Sequence, residues 1–416
     1  MTDGTAANDV ESVDSFRDRA RRWLEDNLPP APPNQLGETS KSAAAWTRAK
    51  ELQRILYDGG FAGICFPKEY GGLGLTPTHQ RAFSEESRDY EMPLALNIPT
   101  LTICAATILD MGSEEQKRTH ISAVLRGEEL LVQFLSEPRG GSDLAGLTTR
   151  ADRKGDSWVL NGAKIWSSGA YAADYALCLA RTDWDVPKHA GLTMFLVPVR
   201  TPGVTVQQIT QVDGSREFCQ EFFDDVVLPA DAVVGQVNGG WETANRQLFH
   251  ERSAVGGASP YSSGIQSHSG RDVSGLVDLA RRTGQLADPR VREDIGEARA
   301  LNMVHDQLIA RITHGIGSGA LPPAAGSIVR LFSAQNSWLQ ADMAVRIAGA
   351  SAATGTTADD AGFGQAGQDY LMRQAWSLAG GSTEMARNII SERVLGMPRE
   401  FAADRDIPFN QVEHGH

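Results

Sequence analysis

The sequence predicts an α+β fold: a helical domain, a β-domain and a second helical domain, one after another. Two changes of period carry this reading. Apolar residues recur at helical spacing to about residue 128, fall into short runs between turn residues until about 236, and return to helical spacing from Trp241. The 416 residues are also too many for one hydrophobic core. The expected boundaries are 1–128, 129–236 and 237–400, with a flexible tail at 401–416.

In the first domain Phe16, Ala20, Trp23 and Leu24 share one helical face, and the Pro29 to Pro33 cluster ends that helix. A second amphipathic run covers Ala45 to Tyr57 and stops at Gly59-Gly60. The apolar piece Phe61 to Tyr70 closes on the turn Gly71-Gly72. Farther on, Met111-Gly112 reads as a helix stop, and Ser113 caps a helix whose first turn carries Glu114 and Glu115.

The β-domain reads as an antiparallel unit with strands at 158–166, 173–181, 192–199, 203–209 and 217–228. Lys188 to Gly191 and Asp213-Gly214 supply turns. Asn161-Gly162 is the pair that best tolerates positive φ at both corner positions, so a hairpin is expected between Trp158-Val159-Leu160 and Ala163 to Trp166. Before it, Ser136-Glu137-Pro138-Arg139-Gly140-Gly141-Ser142-Asp143 is a turn able to aim backbone N–H groups at one ligand atom. Trp166, Ser167 and Ser168 offer a flat ring and two hydroxyls. That suits a planar heterocycle and equally an ordinary half-buried strand.

A net charge of −13 argues against a nucleic-acid partner. Cys65, Cys104, Cys178 and Cys219 lie far apart with no CxxC pair, which points to neither disulfides nor zinc. The histidines show no metal spacing, and no GxSxG elbow is present. No run of about 18 apolar residues is found, and the acidic N-terminus has no targeting pattern, so a cytoplasmic protein without a membrane span is expected.

The sharpest chemical clue is in the helix starting near Trp241. Trp241, Ala244, Leu248, Glu251 and Val255 step by three and four, which places Glu251 in an apolar stripe. A carboxylate there is either a structural pair with a neighbouring Arg or a general base raised by desolvation. His250 beside it reads as structural.

The motifs SEPRGGSD (136–143), NGAKIWSS (161–168) and Ala173-Asp174-Tyr175 resemble the β-domain signature of the acyl-CoA dehydrogenase family of flavoproteins, and the resemblance runs from about Val13 to Arg399. It implies FAD as cofactor and α,β-dehydrogenation of an acyl-CoA to a trans-2-enoyl-CoA, with hydride passing to flavin N5. In Ala379-Gly380-Gly381-Ser382-Thr383-Glu384 the position matching one family base is Gly380, which carries no carboxylate. The resemblance therefore puts the base at the family's other location, Glu251, ahead of Glu384. It also implies that Gln133, Leu135, Ser136, Gly141, Ser142, Trp166, Ser168, Ser382 and Glu384 touch the cofactor. Ser142, Arg252 and Gly381 are implied at the substrate, and Phe61 to Gly72 beside the acyl pocket. Arg281 matches an arginine reaching a neighbouring subunit's FAD, although Arg281-Arg282-Thr283-Gly284 lacks the aromatic companion. A homotetramer or a heterotetramer with a related subunit, and an electron-transfer flavoprotein as acceptor, are further implications.

Rival readings are a same-fold flavin monooxygenase or oxidase, a non-catalytic partner subunit, and a scaffold without cofactor. Gly362-Phe363-Gly364-Gln365-Ala366-Gly367 spells GxGxxG but follows a polar loop instead of a strand, so it reads as a helix cap. Small residues Ala254, Gly256, Gly257 and Ala258 suggest room for a bulky or branched acyl group, with residues 83–105 and 254–265 as the pocket floor.

Overall fold

A computed structural model of the chain describes residues 10–32, 42–255, 257, 259–264, 273–354 and 363–413. The chain divides into two compact units. The first holds Met1–Ile209, Arg216–Ser267 and Asp404–His416; the second holds Thr210–Ser215 and His268–Ala403.

The first unit opens with α1 (Val13–Asn27), α2 (Ala43–Asp58) and α3 (Pro77–Glu86). Ser12 and Ser42 cap α1 and α2 by accepting from the backbone N–H groups of Ser15 and Ala45. Phe16, Ala20 and Leu24 of α1 are buried with Leu52, Leu56, Phe61 and Phe83, as the spacing predicts. Each large apolar side chain there contributes about 1.5–3 kcal/mol. Pro33 lies outside the described residues. Gly72 is forced by close approach, because a Cβ would meet the Phe66 carbonyl oxygen at 2.2 Å.

Next come α4 (Leu94–Leu96), a π-helical stretch Asn97–Ala105, and α5 (Ala106–Met111). Together Leu94–Met111 are long and apolar enough to cross a membrane by length and composition alone. Ile98 leaves helical geometry within this stretch, and most of its side chains are buried in the core. The helical region closes with α6 (Glu114–Gln116), a π-helical turn Lys117–Ile121 and α7 (Ser122–Leu125). Ser113 and Gln116 form the expected capping box.

The sheet has eight strands: β1 (Leu131–Phe134), β2 (Arg150–Lys154), β3 (Ser157–Ser168), β4 (Tyr175–Arg181), β5 (Leu192–Pro198), β6 (Val204–Gln208), β7 (Phe218–Pro229) and β8 (Val233–Val234). Its order is β6-β7-β3-β2-β4-β5-β8, with β1 on β4. Most pairs are antiparallel, but β1 and β2 each pair with β4 in parallel. The expected hairpin at Asn161-Gly162 does not form. β3 runs straight through it, paired with β7 over its whole length, and the two residues make a bulge. Asn161 exchanges hydrogen bonds with Asp225 of β7, and a Cβ on Gly162 would strike Thr149. Twelve residues of pairing outweigh a local turn preference. The real turn is Gly155-Asp156, between β2 and β3.

The helix α8 (Gly240–Val255) packs on the Asn97–Ala105 stretch, α5 and β5. The chain's last part also belongs to this unit. Where a flexible tail was expected, Phe409 is buried, its N–H donates to Val186 O, and Asn410 N–H donates to Trp184 O.

The second unit consists of α9 (Ser274–Arg282), α10 (Pro289–Gly317), α11 (Gly326–Ala348), α12 (Ser351–Thr354), α13 (Phe363–Met372) and α14 (Thr383–Ile389). Its core joins Leu279, Ala280, Val291, Ile347, Ala348 and Ala366. Between α10 and α11, Asn336 and Gln340 both donate to Asn302 Oδ1, a buried amide cluster that sets the register of the two helices.

Candidate active site

β1 is held in place from two sides. It pairs in parallel with β4, from Leu131↔Tyr175 to Phe134↔Cys178, and Thr100 Oγ1 donates to Leu131 O at 2.9 Å. Its half-buried Gln133 reaches α8, where Nε2 donates to Glu251 Oε2 at 3.1 Å. Cys104 lies close by. Burial pushes its thiol well above the ordinary value, and the Glu251 carboxylate adds to that shift.

The stripe of α8 differs from the one its spacing predicts. The buried residues are Gly240, Thr243, Ala244, Gln247, His250 and Ala254, whereas Trp241, Leu248, Glu251 and Val255 are half-buried along its edge. The Asn97–Ala105 stretch, α5 and β5 all pack on α8. Glu251 sits at a margin between core and solvent. His250 is structural as expected: its Nε2 lies 2.7 Å from Asp110 Oδ2, which Arg246 also engages. Arg252 is exposed beside Glu251.

The SEPRGGSD segment closes on itself. Glu137 and Gly140 exchange backbone hydrogen bonds around Pro138-Arg139, so those two N–H groups are used internally. Neither Gly140 nor Gly141 takes positive φ. A Cβ on Gly141 would come within 3.2 Å of Ser136 Oγ, a tight contact with a rotatable side chain. Gly141 and Ser142 are exposed. The anchor is Glu137, 6% exposed, which accepts from Thr148 N, Thr149 N and Lys164 Nζ at 2.7, 2.9 and 2.9 Å. The Lys164 ammonium and these donors outweigh burial and hold the Glu137 carboxyl down at about 2. Lys164 also donates to Leu135 O at 3.1 Å, and Ile165 N–H to Ser136 O at 2.9 Å. Leu135 and Ser136 are thus stitched to the strand that carries Trp166 and Ser168.

A second bulge on β3 falls between Ile165 and Ser167. Trp166 sits in it with φ of 67° and 55% exposure, its ring edge-on to Phe218. A bulky residue with positive φ and an exposed ring is costly on both counts. Ser167 turns inward and donates to Glu221 Oε2 at 2.9 Å. Burial pushes the Glu221 carboxyl up to about 8 against the pull of Ser167 and Lys164. Ser168 is half-buried.

Beside this region Arg181 is wholly buried, donating to the carbonyls of Ala145, Leu147 and Lys188, with its guanidinium over the Phe409 ring. Burial lowers its pKa to about 10. Lys188 bridges Asp143 of the SEPRGGSD segment and Asp404 of the C-terminal segment.

The remaining candidates belong to the second unit. Arg281 is exposed and paired with Asp278. Gly380 and Gly381 both take positive φ. Ser382 caps α14 by accepting from Met385 N–H at 3.1 Å, and Glu384 is exposed in the first turn of that helix, its carboxyl lowered by backbone and hydroxyl donors. Arg330 donates to the carbonyls of Trp376 and Ala379, fixing the approach to Gly380. Gly256, Ala258 and Gly362 lie outside the described residues. Among the described residues no cluster of His, Cys, Asp and Glu could hold a metal ion.

Three acyl-CoA dehydrogenase domains match this chain in order: the N-terminal domain over residues 11–128, the middle domain over 133–226 and the C-terminal domain over 238–395. The chain belongs to the acyl-CoA dehydrogenase family. It is 35% identical to acyl-CoA dehydrogenase IpdE1 of Mycobacterium tuberculosis over 94% of this chain and 99% of that protein. It is 31% identical to acyl-CoA dehydrogenase FadE34 of the same organism, over 84% of this chain and 46% of that one. Among solved structures, the Tcur3481-Tcur3483 steroid ACAD superposes with a TM-score of 0.75 at 29% identity, covering 93% of this chain and 98% of the other.

The dehydrogenase is thus an oxidoreductase of a flavin-dependent family. Its sequence motifs were visible, but the residues that hold them were not singled out. Glu137 and Lys164 stand inside the quoted motifs, and a signal existed: two charges among apolar and small residues, at positions whose neighbours are bound for the interior. Arg181 and Glu221 gave a similar signal, as charged residues within runs that otherwise read as strand.

Proposed function

We propose that this acyl-CoA dehydrogenase removes the α-proton of an acyl-CoA thioester with Glu251 and transfers the β-hydride to FAD, giving a trans-2-enoyl-CoA. The observation that carries the reading is the Gln133–Glu251 hydrogen bond, which fixes the one suitably placed carboxylate of α8 against β1. A donor on the carboxylate sets the direction of its lone pairs, and orientation of a base is worth as much as its basicity.

The chain's residues suit a flavin. Trp166 offers an exposed ring held out by strained backbone, with Ser168 two residues on and Ser136 stitched to the same strand. Gln133, Leu135, Ser136, Gly141, Ser142, Trp166 and Ser168 would hold it. Bound FAD supplies the hydride acceptor. Glu251 takes and holds the proton, Gln133 orients it, and Arg252 and Ser142 contact the thioester or its CoA arm. The Tcur3481-Tcur3483 steroid ACAD supports a bulky acyl group and a tetramer built with a related subunit. Gly380, which carries no carboxylate where the resemblance offers another base, favours the same arrangement. Cytoplasmic location and an electron-transfer flavoprotein as acceptor complete the proposal.

The test is anaerobic titration of the FAD-loaded protein with a panel of acyl-CoAs, beside Glu251→Gln. Bleaching of the wild-type flavin by some thioester, with binding but no bleaching in the variant, is the expected result. A variant that bleaches at the wild-type rate removes Glu251 as base. A wild type that no thioester reduces, alone or with a related subunit, removes dehydrogenation.

A further inference from the structure

Trp166 is the extra residue of its bulge. The register pairs Ile165 with Gln220 and then Ser167 with Cys219, so β3 takes two steps where β7 takes one. In a regular strand the alternation would turn Trp166 inward, opposite Cys219, and Ser167 outward. The bulge reverses both: Trp166 is exposed and Ser167 is buried. Nothing in the local sequence favours this. Trp166 takes a φ of 67° without being Gly, Asn or Asp, and such a backbone persists only where its surroundings hold it.

The hold comes from the inward face. Glu221 is 0% exposed and stands opposite Lys164 in the register, on the near side of the bulge. Its Oε2 accepts from Ser167 Oγ, on the far side, at 2.9 Å. The bond therefore spans the bulge on the diagonal. It forms only while Ser167 points inward, so it exists in the bulged strand and is lost in the regular one. Glu221 Oε1 finds no hydrogen-bond partner among the described residues, and the Lys164 ammonium is taken up by Glu137 and Leu135 O.

We propose that Glu221 is a positioning residue of the cofactor site: through Ser167 it locks the bulge that turns the Trp166 ring outward to the flavin. This rests on the reading in which Trp166 and Ser168 hold FAD.

The test follows loss of FAD from the loaded protein on dilution, read as recovery of free-flavin fluorescence, in wild type, Glu221→Leu, Glu221→Gln and Ser167→Ala. Glu221→Leu and Ser167→Ala remove the bond and should each weaken FAD binding by about tenfold, the contribution of one hydrogen bond. Glu221→Gln keeps an acceptor for Ser167 and should stay within about twofold of wild type. Should Glu221→Leu fail to fold, Ser167→Ala decides. In a Trp166→Gly background, where no ring remains to be positioned, Ser167→Ala should add less than about twofold, whereas a general loss of structure would add its full effect. Wild-type FAD binding in Ser167→Ala, a Glu221→Gln variant no better than Ser167→Ala, or an undiminished effect in the Trp166→Gly background overturns the proposal. If Trp166→Gly alone binds FAD as wild type does, the flavin contact itself is wrong and the proposal falls with it. If Trp166→Gly weakens binding and Ser167→Ala does not, the contact stands and only the role of Glu221 fails.

Discussion

Lys164 Nζ lies 2.9 Å from Glu137 Oε1, with the lysine wholly buried and the glutamate nearly so, and this pair joins the two sequence motifs on which the β-domain is recognised. Removing either partner leaves the other charge buried alone. Lys164→Met and Glu137→Leu should each destabilise the protein by about 3–5 kcal/mol, whereas the double replacement should cost clearly less than their sum. Urea unfolding of the three variants measures this.

The same pair sets a limit in acid. The Glu137 carboxyl is held below its ordinary 4.5, at about 2, so its contribution is fully present above 4.5 and is lost as pH falls towards 2. The loss amounts to roughly 3 kcal/mol. Stability measured from about pH 5 to pH 2 should decline more steeply in wild type than in Glu137→Gln.

Glu221 has the opposite sign. Its carboxyl is raised from 4.5 to about 8, so the folded protein holds a proton that the unfolded chain releases. That contribution is complete below 4.5 and declines as pH rises through 8. Glu221→Gln keeps an acceptor for Ser167 and has no proton to lose. Between about pH 4.5 and pH 9 it should gain on wild type by about 5 kcal/mol, read from denaturant midpoints at both ends.

Trp166 should separate stability from function. Trp166→Gly relieves the positive φ, a gain of about 1 kcal/mol that offsets the lost contact with Phe218. The apoprotein should melt within a few degrees of wild type, while FAD retention through gel filtration falls severalfold. Unchanged retention would return Trp166 to an ordinary surface role.

Much of the fold was legible because period and caps agree: Ser113 caps where expected, and β4, β5, β6 and β7 fall within one or two residues of the expected strands. The errors were failures of local reasoning against distant partners. Asn161-Gly162 has turn chemistry, yet β7 lies alongside and claims it for a bulge. The spacing puts Glu251 within the apolar stripe of α8, but its position at the edge of the buried face depends on which elements cover α8, and no window of sequence contains them. Arg181 and Phe409 were missed together, since each is explicable only by the other across 227 intervening positions.

Phe409 must slide under the guanidinium of Arg181, and Asp404 must reach Lys188, before the sheet's interior is finished. These residues leave the ribosome after the whole helical unit between His268 and Ala403. Until then Trp184 and Arg181 lack their cover, so the sheet waits, incomplete, through the synthesis of well over a hundred residues. A nascent chain stalled just short of Asp404 should stay protease-sensitive around Trp184, and ten further residues should protect it.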